Sequence, residues 1–236
     1  SSDVCSSDLP EARQTIKEIY RDLAKSTPFD GLLFHDDVTL SDYEDASPEA
    51  LAAYAKQGLP TDLAKIRNND ADLQKWTAFK TRYLDDFAIE LAGEVRQYQP
   101  YLMTARNLYA QVALNPYAEN WYAQSLEESL NRYDFTAIMA MPYMEQVKNP
   151  DKFYTDILNR VKKYPNGIKK MVMELQATNW RNDQKVPSEE MAATIKSLYE
   201  QGAMHIAYYP DDPIQDHPDV KTMHNAFGLK SSQLVP

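Results

Sequence analysis

Past its first few residues the chain alternates short apolar runs with amphipathic stretches. Ile16, Ile19, Tyr20 and Leu23 recur at i, i+3, i+4 and i+7, which predicts one face of a first helix. Gly31-Leu-Leu-Phe-His35 reads as a short apolar strand. Ser47 ahead of Pro48 and Glu49 predicts a helix start, and Gly58 a stop. A long helix is predicted from about Asp72 to Gln97, with Trp76, Phe79, Tyr83, Phe87 and Leu91 on one side.

The later pattern is regular. Leu102–Arg106, Thr136–Ala140, Lys170–Glu174 and Met204–Tyr208 read as strands whose starts lie 34 residues apart. Between them fall helical patterns: Trp121, Leu126, Leu130; then Phe153, Ile157, Val161; then Met191, Ile195, Leu198. Strands apolar on both faces, such as Ala137-Ile-Met-Ala-Met141, belong in a parallel sheet covered by helices. The six glycines match no dinucleotide or P-loop fingerprint, which favours a (β/α) barrel over a doubly wound nucleotide fold. Five strands are legible rather than eight, and an intact barrel takes about 250 residues. The expected fold is therefore α/β, a (β/α)8 TIM-like barrel truncated to about its last five β/α units.

Composition adds exclusions. At 43% hydrophobic and 25% charged the 236-residue chain is neither disordered nor a disulfide-stapled mini-protein. No window approaches 18 apolar residues, so no transmembrane segment is expected. With 35 acidic against 25 basic residues the net charge is −10, which argues against nucleic acid and for a cationic ligand. Residues 1–9, Ser-Ser-Asp-Val-Cys-Ser-Ser-Asp-Leu, read as the in-frame translation of a common sequencing-adapter oligonucleotide; the alternative is a polar N-terminal tail. On the adapter reading Cys5, the only cysteine, drops out, residues 10–236 form the barrel part, and its net charge is −8. A missing signal region then says nothing of compartment.

Barrel chemistry sits where strands end. Past the first strand come His35, Asp36, Asp37, Asp42, Glu44 and Asp45; past the second, Arg106 and Asn107; past the third, Tyr143 and Glu145. The fourth is followed by Glu174, Gln176, Asn179, Trp180 and Arg181, and the fifth by Tyr208, Tyr209, Asp211 and Asp212. Aromatic faces for sugar rings, planar groups for hydroxyls and paired carboxyls for glycosidic cleavage make a sugar site. Five acids in the ten residues from Asp36 to Asp45 are expected to raise one another's pKa, which suits a general acid. The bland reading of that stretch is a solvated loop capped by Ser47. A metal at His35-Asp36-Asp37 is a competing reading, but adjacent strand residues point to opposite faces and cannot share an ion without a turn. Tyr143 and Trp180 read either as core or as ligand-stacking residues; Trp76 and Trp121, on apolar helix faces, read as core. A Gly-x-Ser-x-Gly elbow is missing, which removes nucleophilic serine chemistry.

The segment Phe34-His-Asp-Asp-Val-Thr-Leu-Ser-Asp42-Tyr-Glu-Asp-Ala-Ser47 resembles the signature of PgaB-type proteins, the bacterial poly-β-1,6-N-acetyl-D-glucosamine (PNAG) deacetylase/hydrolases of biofilm export. Thr104-Ala-Arg-Asn107, Thr136 to Tyr143, Glu174-Leu-Gln-Ala177 with Trp180-Arg181, and Tyr208-Tyr-Pro-Asp-Asp212 extend the resemblance from about residue 10 onward. Val38-Thr39 departs from the pattern and leaves the carboxylates intact. The family's architecture is an N-terminal metal-dependent deacetylase domain joined to a (β/α)8 barrel, and the resemblance covers only the later part of that barrel, from the helix before its fourth strand. The resemblance implies endo-hydrolysis of partly de-N-acetylated PNAG, no cofactor in this domain, and a periplasmic, outer-membrane-associated setting with an export porin as partner. By it Asp42 is the catalytic acid, with no metal. His35, Asp36, Asp37, Glu44, Arg106, Asn107, Tyr143, Glu174, Trp180, Tyr208, Tyr209 and Asp211 are substrate contacts, Trp180 and the Tyr208–Tyr209 pair stacking on sugar rings. De-N-acetylated units carry an ammonium, which an acidic groove attracts. The alternatives are a non-catalytic module guiding the polymer to the porin and a metal-dependent hydrolase using His35 and Asp36. Alone, this fragment is expected to be inactive and prone to aggregate along the Gly31–His35 edge.

Overall fold

The computed structural model describes residues 10–233. In chain order the elements are α1 (Pro10–Ser26), β1 (Gly31–Phe34), α2 (Pro48–Lys56), α3 (Leu63–Arg67), α4 (Asp70–Arg96), β2 (Met103–Tyr109) and α5 (Ala110–Leu114). A 3-10 turn (Pro116–Ala118), α6 (Glu119–Tyr122), α7 (Leu126–Arg132), β3 (Phe135–Ala140), α8 (Pro150–Val161) and α9 (Gly167–Lys170) follow. The chain ends with β4 (Met171–Gln176), β5 (Thr178–Asn179), β6 (Gln184–Lys185), α10 (Ser188–Glu200), β7 (His205–Tyr209) and α11 (Val220–Gln233). The expected strands all form, within a residue or so at their starts. They lie in one sheet of order β1-β2-β3-β4-β7, in which β1–β2, β3–β4 and β4–β7 pair in parallel.

The chain divides into two compact units, the first comprising residues 10–106 and Asn115–Asp134, the second Asn107–Leu114 and residues 135–233. In the first, helix starts are set by side-chain caps. Ser47 Oγ accepts from the Ala50 amide at 3.2 Å, Asp62 caps α3 and Asn69 caps α4. Gly58, at φ +71°, turns the chain after α2, a conformation that costs glycine little. Strand β1 pairs with β2 in the register Gly31↔Met103 to Phe34↔Arg106. Phe34 packs with Ala88, Leu91, Ala92, Val95, Leu102 and Tyr133. A second cluster joins Tyr54, Ile66, Leu73 and Trp76, with Tyr54 edge-on to Trp76 at 5.7 Å.

Two expectations fail here. In α1 the packed face is Ile16, Tyr20 and Ala24, whereas Ile19 is 60% and Leu23 42% exposed. Beside that face Arg13, Lys17 and Arg21 engage Glu90 and Glu94 of α4, Lys17 at 2.8 and 2.9 Å and Arg21 at 2.7 Å. The ionic ladder and the apolar seam set the helix's rotation together. Trp121, expected in the core, is 41% exposed, because α6 is a single turn whose outer side carries it. Trp76 is fully buried, as expected.

In the second unit β3, β4 and β7 pair in the registers Ile138↔Met173 and Met173↔Ile206. Ile138 and Met173 are fully buried. Phe153, Ile157 and Val161 of α8 and Met191, Ile195 and Leu198 of α10 are buried, as the helical spacing predicted. The β5–β6 antiparallel pair has no sequence signal, since its residues are polar and only two long on each side.

Candidate functional site

The first group of candidate residues lies on the loop leaving β1 in the first unit. The chain turns directly after Phe34, with Val38 N–H donating to His35 O at 3.4 Å and Thr39 N–H to Asp37 O at 2.9 Å. Arg106, at the end of the neighbouring strand, is 2% exposed, and its guanidinium donates to the carbonyls of Phe34, His35 (2.7 Å) and Val38. Asp85 lies 3.7 Å from its Nε and is held by Tyr133 Oη at 2.7 Å. So enclosed, Arg106 shapes the turn from behind rather than offering its donors to a ligand. His35 pairs with Asp36, and Asp37 faces solvent.

The acids further along are each met separately. Asp42 accepts from Arg67 Nη2 at 3.0 Å, and that guanidinium sits 3.6 Å from the centre of the exposed Tyr43 ring. Glu44 accepts the Ser41 amide at 3.0 Å, and hydrogen bonds from Ser41 hold its carboxyl below the usual range. Asp45 is buried and accepts the Ser47 amide at 2.7 Å and its hydroxyl at 3.0 Å. The expectation that crowding raises these acids therefore fails for Glu44: local donors outweigh neighbouring carboxylates. Among the described residues no three His, Cys, Asp or Glu side chains are grouped to hold a metal ion.

Beneath the loop lies a lysine that sequence position alone does not mark as functional. Lys80 of α4 is 1% exposed and donates to Ser41 O at 2.6 Å and Glu44 O at 2.8 Å, either side of Asp42. Its Nζ also lies 3.6 Å from the centre of the Trp76 ring. Burial pulls this amine down to about 7, against the opposing pull of Asp42 and Glu44. The available cue was a lysine inside the apolar stripe of Trp76, Phe79 and Tyr83. Arg67, the partner of Asp42, carried no such cue.

The second group belongs to the second unit. Asn107 is fully buried and donates through Nδ2 to Glu174, itself 8% exposed. Gln176 accepts the amides of Tyr143 at 2.8 Å and Met144 at 3.2 Å and donates to Thr178 O at 2.8 Å, so it fixes the loop after β3. Tyr143 Oη donates to Glu190 at 2.6 Å, which pushes the phenol up to about 12. Trp180 (41% exposed) and Tyr209 (50% exposed) lie together with ring centres 6.2 Å apart. Of the expected Tyr208–Tyr209 sugar-stacking surface, Tyr209 is the member that lies beside Trp180. Tyr208 instead stacks on Phe227 and reaches Asp211 at 3.2 Å, because consecutive strand residues face opposite ways.

Known proteins resemble the chain along most of its length. Residues 5–209 match the model of GHL13, hypothetical glycosyl hydrolase family 13. The poly-β-1,6-N-acetyl-D-glucosamine N-deacetylases of Escherichia coli K12 and O157:H7 are each 39% identical over 221 residues, covering 91% of this chain and 33% of theirs. The chain thus spans about a third of the length of these curated relatives. The PgaB (BpsB) glycoside hydrolase domain of Bordetella bronchiseptica superposes with a TM-score of 0.88 at 44% identity, over 93% of this chain and 63% of that one. The five-stranded parallel sheet with its flanking helices matches that hydrolase domain. On the family match, the fold and the two sets of relatives, the chain belongs to GHL13, hypothetical glycosyl hydrolase family 13.

Proposed function

We propose that this chain is the later part of a barrel that hydrolyses partly de-N-acetylated poly-β-1,6-N-acetylglucosamine at internal linkages. Asp42 delivers the proton to the leaving glycosidic oxygen. The observation that carries the reading is the loop after β1, where Arg67 grips Asp42 and Lys80 holds the main chain on either side of it, in a stretch that also carries Asp36, Asp37 and Glu44. Those acids suit a sugar that carries an ammonium in place of an N-acetyl group. In the second unit Glu174, held by Asn107, and the exposed Trp180–Tyr209 rings are groups of the kind that hydrogen-bond to and stack on sugars. The chain matches about a third of the length of the E. coli N-deacetylases, and deacetylation is no part of this proposal.

The test is a reducing-end assay on partly de-N-acetylated polymer, using a chain extended through the three preceding β/α units. Asp42→Asn is expected to cut turnover by about 10²–10⁴-fold, the usual weight of a general acid, while oligosaccharide binding persists. Undiminished turnover would remove Asp42 from the mechanism. Binding with no new reducing ends, even in the parent chain, would leave a polysaccharide-guiding module. Trp180→Ala is expected to weaken binding under either outcome.

A further inference from the structure

A cavity of about 520 Å³ lies within the first unit, between the first half of α4 and the segment from Pro116 to Asn131. Its floor is unusual for a helix face turned inward. Thr77, Ala78 and Thr81 stand where large apolar side chains would otherwise fill the space, and Thr77 and Thr81 are 5% and 3% exposed. Thr77 donates to Asn120 Oδ1 at 2.6 Å, and Asn120 donates onward to Tyr117 O at 2.8 Å, so hydroxyl and amide are fixed in the wall. The Thr81 hydroxyl, in the same wall, has no hydrogen-bond partner. A buried hydroxyl left unpaired forfeits its hydration, a loss that a polar ligand with modest local adjustment can recover. At the rim Tyr117 is 56% exposed and meets Trp121 edge-on at 5.9 Å. Glu127 stands exposed beside it, and Glu128 pairs with Arg82 at 3.3 Å.

We infer that this cavity is a second saccharide-binding site, taking amine-bearing sugar units of the same polymer outside the Asp42 loop. Its volume falls in the range of ligand sites, roughly 300–1,000 Å³. Fixed hydroxyl and amide groups meet sugar hydroxyls, the Tyr117 ring offers an apolar face, and the carboxylates of Glu127 and Glu128 meet ammonium groups. The cavity is also tied to the candidate catalytic loop, since the Leu40 amide donates to Tyr122 O at 3.3 Å, next to the Tyr117–Trp121 rim. A polymer held here stays tethered near that loop between cleavages, which matters for long chains and not for short ones. The inference rests on the proposed function for the identity of the sugar and on the cavity for the site.

The test titrates the full chain with a β-1,6-linked glucosamine hexamer, alone and as Tyr117→Ala/Glu127→Gln. Two binding events are expected in the parent and one in the double variant. In the extended, active chain the variant is expected to raise KM for long polymer several-fold, with kcat and cleavage of the hexamer unchanged. A single event that the double variant leaves intact overturns the second site and spares the proposed function. No binding of the hexamer by either chain overturns both. Equal occupancy of the cavity by hexalysine overturns the sugar assignment, because charge alone would then suffice.

Discussion

Lys80 donates its ammonium protons to the carbonyl oxygens of Ser41 and Glu44, and the two acceptors bracket Asp42. A buried cation bonded to main chain on both sides of a carboxylate fixes the position of that carboxylate without touching it. Arg67 grips the same side chain directly from α3. Asp42 is thereby set by two helices as well as by its own loop.

The first prediction concerns that support. Lys80→Met keeps the length of the side chain and removes its donors, freeing Ser41 and Glu44. In the extended chain, turnover on de-N-acetylated polymer is expected to fall by roughly 10- to 100-fold, the scale of a small misplacement of a reacting group. Oligosaccharide affinity, measured in parallel, is expected to change little.

The same lysine sets a pH dependence. Its amine sits near 7 in the folded chain and at 10.5 when unfolded. Between those values the unfolded chain binds a proton that the folded chain does not, so this group makes stability rise with pH. The stability difference between the parent and Lys80→Met is expected to move in the parent's favour from pH 7 to pH 10. Thermal melts across that range check it, and a flat difference would count against the lowered pKa.

The seam between α1 and α4 predicts the opposite limb. Lys17 and Arg21 hold the Glu94 carboxyl down to about 2, against an ordinary 4.5. Here the stabilisation is complete above 4.5 and fades as pH falls towards 2. Glu94→Gln is therefore expected to melt below the parent at neutral pH and to converge with it in acid.

Strand β1 lies at an edge of the sheet, and Leu33 on it is 51% exposed, with Met103 beside it at 44%. An apolar edge of this kind invites pairing with another chain. Leu33→Lys is expected to lower self-association of the 236-residue chain, measured by light scattering, with little change in its circular dichroism.

Much of this was readable in one dimension. Strands apolar on both faces, helices with Ile157, Val161 or Ile195 at helical spacing, and caps at Ser47 and Gly58 are local signals, because backbone period and capping depend on near neighbours. The acids at the end of β1 and the aromatics after β4 were likewise visible as residue types at strand ends. What those side chains touch was not. Arg106 reads as a ligand contact until the fold buries it against three carbonyls. Glu44 reads as a crowded acid until Ser41 reaches it. Tyr208 and Tyr209 are neighbours in sequence and part company on the strand. Lys80 acts on a loop almost forty residues upstream. Sequence determined the elements and the chemistry they carry; the tertiary structure alone decided the partners, because burial and hydrogen bonding are settled between segments that the chain keeps far apart.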